Sequence, residues 1–284
     1  MPYAQLTDIQ MYYEVHGEAS GTLILIGGLT RDHTIWRHII EHLAKDFKVL
    51  VFDNRGSGRT DKPDVDYSIA MLSNDLAELI NVLGIGKPII IGHSMGAFMA
   101  MHYAAKYPDK LAGLVLCSAC VKQVPAGCEY LQKRIDLVQD NIHKGVCSST
   151  ASESDIRKAM PWLYSKSFLS DENSISSVIQ HEVNNVYPQP GAAFVKQAIA
   201  CLNHNEISQL GNICTPTLVI SGEEDRIVTP QVSHELTDAI TPAQLVILED
   251  AAHMIQIEQP RIFINILTDF AKLTFSNGRN KRLI

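Results

Sequence analysis

Several features that would assign a chain to a special class are absent from this sequence. No apolar run approaches the roughly 18 residues that a membrane span needs. Residues 1–17 lack a basic segment followed by an apolar stretch, which is the pattern of a secretory signal. Basic residues are not in excess, because the 284 residues carry a formal net charge of −7. We therefore expect no membrane span, and neither nucleic acid nor an anionic membrane surface as a partner.

The cysteines do not form a metal-binding pattern. Cys117 and Cys120 have the C-x-x-C spacing, but no second pair and no histidine at zinc spacing accompanies them. We expect structural or buried thiols, no metal site and a reducing, cytoplasmic setting. The six cysteines are Cys117, Cys120, Cys128, Cys147, Cys201 and Cys214.

Continuous apolar runs alternate with helical patterns along most of the chain. Such runs are typical of parallel strands that are buried on both faces. Residues 3–15 alternate in polarity instead and predict an antiparallel hairpin at the sheet edge. Together these patterns predict an α/β fold with a mostly parallel, doubly wound sheet of eight strands. The predicted buried strands are 23–26, 49–52, 89–91, 114–117, 218–220 and 245–248, and the predicted helices are 35–44, 69–83, 95–107, 231–240 and 260–272.

The alternation stops between residues 121 and 205, where no strand-like run occurs. Four helix-like segments follow one another there, at 127–143, 152–167, 173–184 and 191–203. An insertion of this kind is expected to form a helical cap over the carboxyl edge of the sheet, where ligands bind in such folds. The predicted core is then 1–120 with 206–276, and 277–284 is predicted to be a flexible tail.

The most informative motif is Gly92-His93-Ser94-Met95-Gly96, between a predicted strand and a predicted helix. G-x-S-x-G in this context is typical of a tight turn that exposes a nucleophilic serine. The glycines are needed because a side chain at either position would collide with the neighbouring strand or helix. Ser94 is therefore the candidate nucleophile.

A serine hydroxyl needs a general base, and the base needs a group that orients it. In this fold class the expected chain order is serine, acid, histidine. Asp225 follows one strand in a Gly-x-x-Asp loop, and its neighbours Glu223 and Glu224 are interpreted as solvated. His253 follows the last strand in a loop of small residues. We expect Asp225 to orient His253 as the base for Ser94.

The oxyanion that forms during acyl transfer needs two main-chain donors. Met95 follows the nucleophile at a helix N-terminus and is the first candidate. Leu29, in the loop Gly27-Gly28-Leu29-Thr30 after the first central strand, is the second.

At this point the chain resembles the α/β-hydrolase superfamily over nearly its whole length. Two departures stand out: Gly27 replaces the family's usual histidine before the oxyanion loop, and Ala97 stands where relatives usually carry glycine. The resemblance implies a serine hydrolase that needs no cofactor. It is carried by Gly27-Gly28-Leu29 with Trp36, Asp53-x-Arg55-Gly56-x-Gly58, Gly92-His93-Ser94-Met95-Gly96, the stretch Pro216-Thr217-Leu218-Val219-Ile220-Ser221-Gly222-x-x-Asp225, and His253.

The implied reaction is cleavage of a carboxylic ester, lactone or thioester through an acyl-enzyme on Ser94. Serine at this position argues against the relatives that use an aspartate nucleophile. A cofactor-free haloperoxidase (perhydrolase), a C–C bond hydrolase and a non-catalytic ligand-binding protein remain alternatives. The C–C hydrolases rank lower because the oxyanion loop lacks their Gly-Pro-Gly pattern.

The predicted cap is rich in aromatic and apolar side chains, including Trp162 and Phe168. These residues predict a largely apolar chamber for a small to medium acyl group or ring. Arg31 and His33, just after the oxyanion loop, are candidates to bind a substrate carboxylate, although surface charge is the favoured interpretation of the two residues. The sequence leaves open whether the protein is a monomer or a homodimer.

Overall fold

The apolar runs form the strands of one eight-stranded sheet. The computed structural model describes residues 2–146, 152–206, 208–241 and 243–280, so Cys147 and the predicted tail residues 281–284 lie outside the described part. All six predicted buried strands and the predicted hairpin are present. The strands are β1 (Tyr3–Gln5), β2 (Gln10–His16), β3 (Thr22–Ile26), β4 (Lys48–Phe52), β5 (Ile89–His93), β6 (Gly113–Cys117), β7 (Thr217–Gly222) and β8 (Ala243–Leu248).

The order of the strands across the sheet is β1-β2-β4-β3-β5-β6-β7-β8. β1 pairs antiparallel with β2, and β2 pairs antiparallel with β4. All other neighbours are parallel. Every residue of β5 and β6 is buried, as expected for central strands covered on both faces. The predicted mostly parallel α/β sheet is confirmed.

Helices flank the sheet, and five of those in the described ranges lie between β6 and β7. These five, α4 to α8, are called the helical insertion below. Within the described ranges, no helix combines the length and apolar character that a membrane span requires. The helices are α1 (Ile40–Leu43), α2 (Ile69–Val82), α3 (Met95–Lys106), α4 (Pro125–His143), α5 (Glu153–Leu163), α6 (Lys166–Leu169), α7 (Glu172–Val183), α8 (Gly191–Leu202), α9 (Pro230–Ala239), α10 (Ile255–Glu258) and α11 (Pro260–Asn280).

Three predicted elements differ from the structure. The predicted helix 35–44 is a 3-10 turn (His33–Trp36) followed by the single turn α1, in a segment whose β-branched isoleucines disfavour a continuous helix. The predicted helix 152–167 is divided into α5 and α6, because Ser165 is extended and its hydroxyl caps α6 by accepting from the Phe168 amide at 3.3 Å. The last helix continues to Asn280, into the predicted tail.

Hydrogen bonds attach the helical insertion to the loops at the carboxyl end of the sheet. The Leu163 carbonyl accepts from the Met254 amide at 3.1 Å. The Ser165 amide donates to Glu258 at 2.8 Å, and the Lys166 amide donates to Glu224 at 3.1 Å. The end of α5 therefore lies against the loops that follow β7 and β8.

The cysteines are free thiols in the described part of the chain. Cys117, Cys120 and Cys201 are buried, Cys128 is half-buried and Cys214 is exposed. The expectation of buried thiols therefore holds for three of the five described cysteines.

Arg55 joins three separate parts of the core. Its guanidinium is 2% exposed and forms two hydrogen bonds to Asp75 of α2, at 2.6 and 2.8 Å. Two further bonds, at 2.7 and 2.8 Å, go to Asp8 in the turn between β1 and β2. Burial raises the pKa of Asp75, although the guanidinium opposes this effect. Arg55 is thus the partner that makes a buried carboxylate tolerable.

We expect Arg55→Met to lower the free energy of unfolding by about 3–5 kcal/mol, because it leaves Asp75 buried without its partner. The matched control is Arg157→Met, which removes an exposed ion pair with Glu153 and should change stability by less than about 0.5 kcal/mol. Urea unfolding at neutral pH measures both values. The loss of unfolding free energy in Arg55→Met should become smaller as the pH falls toward about 4, the ordinary aspartate pKa. In the folded variant the buried Asp75 has a higher pKa than in the unfolded chain, so it takes up a proton first and loses its unfavourable charge. Equal losses in the two variants would contradict this role.

Candidate functional site

Ser94 lies in a strained turn between β5 and α3. Its φ of 53° and ψ of −119° are rare for a residue with a side chain. The Ser94 amide donates to the Cys117 carbonyl at 2.9 Å, which ties the turn to the neighbouring strand β6. Strain of this kind persists only where the surroundings impose it, and it is common at functional sites.

The two glycines of the motif permit contacts that no other residue allows. A Cβ atom on Gly92 would lie 2.3 Å from the Gly96 carbonyl oxygen. A Cβ atom on Gly96 would lie 2.3 Å from the Ile26 carbonyl oxygen at the end of β3. The first contact brings α3 against β5, and the second brings it against β3. The side chain of Ala97, a departure from the family pattern, is accommodated within the core.

Asp225 and His253 are brought together by the ends of β7 and β8. The Nδ1 atom of His253 lies 2.8 Å from Oδ2 of Asp225, and both residues are buried. The other carboxylate oxygen accepts from the Ile227 and Val228 amides, each at 2.8 Å. Because the carboxylate accepts at Nδ1, a neutral His253 carries its proton there and its Nε2 atom is available as a base.

The main chain of His253 is held by two side chains at the carboxyl ends of β5 and β6. Nε2 of His93 lies 2.8 Å from the His253 carbonyl, and the Ser118 hydroxyl donates to the same oxygen at 3.1 Å. A carbonyl can only accept, so Nε2 of His93 carries the hydrogen. Burial, with a smaller electrostatic effect of the neighbouring His253, lowers the pKa of His93 to about 3, so His93 stays neutral. Its role is support of the His253 loop, which agrees with the expectation that it is not the base.

The loop after β3 faces the turn that carries Ser94. A Cβ atom on Gly28 would lie 3.1 Å from Cβ of Ser94, so the two segments are in close contact. The Asn54 side chain donates to the Gly27 carbonyl at 3.0 Å and braces this loop from β4. In the described residues, the main-chain hydrogen bonds do not include the Leu29 amide. Met95 is the first residue of α3, where an amide has no acceptor within the helix.

Two neighbouring cavities lie between the helical insertion and the sheet, and they share five of their lining residues. The inner cavity, of about 50 Å³, is lined by Ser94, His253 and Leu29, among others. The outer cavity, of about 220 Å³, is lined mainly by the helical insertion and includes Trp162. The residues that line both cavities are Thr30, Arg31, Tyr130, Arg134 and Leu163.

The four predicted substrate contacts have different surroundings. Arg31 lines both cavities and Trp162 lines the outer one. Phe168 is not among the described residues that line either cavity; its ring stacks on Tyr164 with centroids 4.5 Å apart. His33 also lines neither cavity.

His33 is instead part of a buried hydrogen-bond network. Its Nδ1 atom lies 2.8 Å from Asp53, and its Nε2 atom lies 3.3 Å from Glu14. Burial by itself would lower the pKa of His33, but the bond to Asp53 and the nearby carboxylates raise it overall. Both ring nitrogens lie close to carboxylates of the protein, which favours a supporting role for His33 in this loop, while its role as a substrate contact stays a prediction.

The same network contains the one grouping in the described residues whose geometry resembles a metal site. Ligand atoms of Asp32, His33 and Asp53 lie within 4.8 Å of one another. These atoms already have partners: Asp53 accepts from His33 and from the Arg59 amide, and Asp32 accepts from Thr34 and Asn185. The arrangement is that of an internal network, and we assign it no metal.

Arg134 is a cavity residue that the sequence analysis missed. It lies on the inward face of α4, where Tyr130, Leu131 and Val138 are buried. The signal was present in the sequence, since an arginine four residues after Tyr130 interrupts an apolar helical stripe. A charged residue at such a position suggests a polar contact inside the protein.

Comparisons with known proteins agree with this fold. A family model for the alpha/beta hydrolase fold matches residues 21–260. A putative carbamate hydrolase, RutD, from Rhizobium rhizogenes is 29% identical over 268 residues, which cover 92% of this chain and 98% of that protein.

Solved structures give the same result. The enol-lactonase from Burkholderia xenovorans is 25% identical, with a TM-score of 0.83 and coverage of 95% of this chain and 100% of that one. The malate-bound esterase from Thermogutta terrifontis is 26% identical, with a TM-score of 0.80 and coverage of 95% and 96%. The sheet order, the turn at Ser94 and these relatives agree with the family model, which itself matches most of the chain. The protein therefore belongs to the α/β hydrolase fold family and is a hydrolase of that fold.

Proposed function

We propose that this hydrolase cleaves a carboxylic ester, lactone or thioester through an acyl-enzyme on Ser94. The observation that carries the proposal is the 2.8 Å contact between Asp225 and His253, combined with the inner cavity that Ser94 and His253 both line. A nucleophile, an oriented base and a space for a substrate are the parts that such a reaction needs.

In the proposed reaction, the Ser94 hydroxyl attacks the substrate carbonyl while Nε2 of His253 takes its proton. The negative charge that forms on the carbonyl oxygen is stabilised by the amides of Leu29 and Met95. The tetrahedral intermediate expels the alcohol, enol or thiol, which receives the proton from His253. A water molecule then attacks the acyl-enzyme, with His253 again as the base, and releases the acid.

The helical insertion takes the role of a cap in this proposal. It corresponds to the segment 121–205 between the two parts of the core, 1–120 and 206–276. Support comes from the outer cavity, which is lined mainly by residues of α4, α5 and α7. A cap in this position would select the substrate and limit the access of water.

A carbamate is a second candidate substrate, because a relative that is 29% identical bears the name carbamate hydrolase. A carbamate presents the same carbonyl to Ser94, and the same residues would perform the reaction. Hydrolysis of matched ester, lactone, thioester and carbamate substrates would rank the four classes.

Ser94→Ala should abolish hydrolysis of p-nitrophenyl butyrate, with a loss on the order of 10⁶-fold in kcat by analogy with serine proteases. The wild type should also show a mass increase of one acyl group at Ser94 after rapid acid quenching. The control is Ser170→Ala, an exposed serine of the helical insertion, which should retain full activity. An inert wild type, or an active Ser94→Ala variant, would sink the proposal and favour a ligand-binding protein.

Gly28→Ala should lower kcat by about 10²- to 10³-fold, the effect of losing one oxyanion donor. The added methyl group would lie 3.1 Å from Cβ of Ser94 and 3.2 Å from His93, so we expect the loop that carries Leu29 and the turn that carries Ser94 to move apart slightly. Gly86→Ala is the control, because an added methyl group there has no neighbour within 4 Å among the described residues. Melting temperatures would separate a catalytic effect from unfolding. Unchanged kcat in a folded Gly28→Ala would contradict the role of this loop.

A further inference from the structure

The inner cavity carries positive charge on its walls. Arg31 and Arg134 both line it, and no aspartate or glutamate is among the described residues that do so. The sequence predicted a largely apolar chamber, and the apolar side chains are present. The two guanidinium groups are the feature that this prediction did not include. Charge of one sign in a small cavity selects for ligands of the opposite sign.

The charge of Arg31 is already balanced. Its guanidinium forms an ion pair with Glu182 of α7, and the two side chains are only 13% and 17% exposed. This pair joins the loop after β3 to the helical insertion. Arg31 therefore does not present a free charge to the cavity.

Arg134 has no such partner. Within the described ranges, no carboxylate lies within 4.0 Å of its guanidinium nitrogens. One nitrogen donates to the Tyr130 hydroxyl at 3.2 Å, and the guanidinium carbon lies 4.9 Å from the centre of the buried Phe194 ring. An arginine that lies over a ring face spends no N–H group on a carboxylate there, so its remaining N–H groups are free to bind an anion.

We propose that Arg134 binds a carboxylate of the substrate, so that the preferred ester, lactone or thioester carries a second, acidic group. This inference rests on the proposed function of Ser94. Arg134 lines the inner cavity together with Ser94 and also lines the outer cavity, so it stands where a substrate would extend from one into the other. A planar carboxylate matches the fork of a guanidinium, and a half-buried guanidinium without an anion is unfavourable. Gln123, which also lines the inner cavity, offers an amide to the same group.

Two pairs of substrates test where the carboxylate lies. The first pair differs in the acyl group: mono-p-nitrophenyl adipate against p-nitrophenyl hexanoate. The second pair differs in the leaving group: 4-carboxyphenyl butyrate against phenyl butyrate. The readout is the ratio of kcat/KM for the charged over the neutral member of each pair, after subtraction of spontaneous hydrolysis. We expect a ratio of about 10 to 100 in one pair, which is the rate effect that corresponds to the free energy of one charge-assisted hydrogen bond.

The variants are chosen to separate binding of the anion from support of the fold. Arg134→Met should bring the ratio down to about 1, mainly through a higher KM for the charged substrate. Arg134→Lys keeps the charge without the fork and should retain an intermediate ratio. Arg157→Met, the same substitution at an exposed position of α5 that lines neither cavity, should leave the ratio at the wild-type value.

The possible results separate this inference from the proposed function. If the wild type hydrolyses none of the four substrates, the proposed function fails. If it hydrolyses neutral esters as well as charged ones in both pairs, only the role of Arg134 fails. A lower melting temperature of Arg134→Met with an unchanged ratio would also overturn the inference, because Arg134 would then serve only to pack against Phe194. If Arg134→Met does not fold, the wild-type ratios and Arg134→Lys decide the question.

Discussion

The close approach of α3 to β5 and β3 is the constraint on which the site depends. A single Cβ atom at Gly92 or Gly96 would overlap main-chain oxygen atoms, at distances of 2.3 Å. The approach allows Ser94 to occupy its strained turn, and it also brings the start of α3 against the end of β3. The loop that carries Leu29 begins at that end. One steric condition therefore positions the proposed nucleophile and both proposed oxyanion donors, before any polar interaction is considered.

Polar interactions then fix the loop of the proposed base relative to this turn. The His253 carbonyl accepts from His93, the residue before Ser94, and from Ser118, the residue after β6. His93 can perform this task over the whole physiological pH range because its pKa is about 3. A residue that could gain a charge near neutrality would place a cation beside His253 and change its basicity. The neighbour of the nucleophile is thus useful because it does not titrate.

The sequence points to those parts of the candidate site that follow strands, and it says little about parts that depend on side-chain partners. Ser94, Asp225 and His253 each follow a strand whose carboxyl end lies at one edge of the sheet, so topology alone brings them near one another. His33 also lies in a loop at that edge, but its two nitrogens are taken by Asp53 and Glu14, which no local pattern reveals. Arg134 lies on α4 and became a candidate only when the packing of the helical insertion was known.

The helical insertion is not an independent lid, because the hydrogen bonds that attach it to the core involve residues on either side of His253, the proposed base. The Leu163 carbonyl accepts from the amide of Met254, the residue after His253. Glu258 accepts from the Ser165 amide and also from the amide of Ala252, the residue before His253. Any movement of α5 away from the sheet would break bonds that flank His253 on both sides. The helices that line the outer cavity and the histidine proposed as the base are therefore held by the same hydrogen bonds, so the shape of this cavity and the position of His253 are physically coupled.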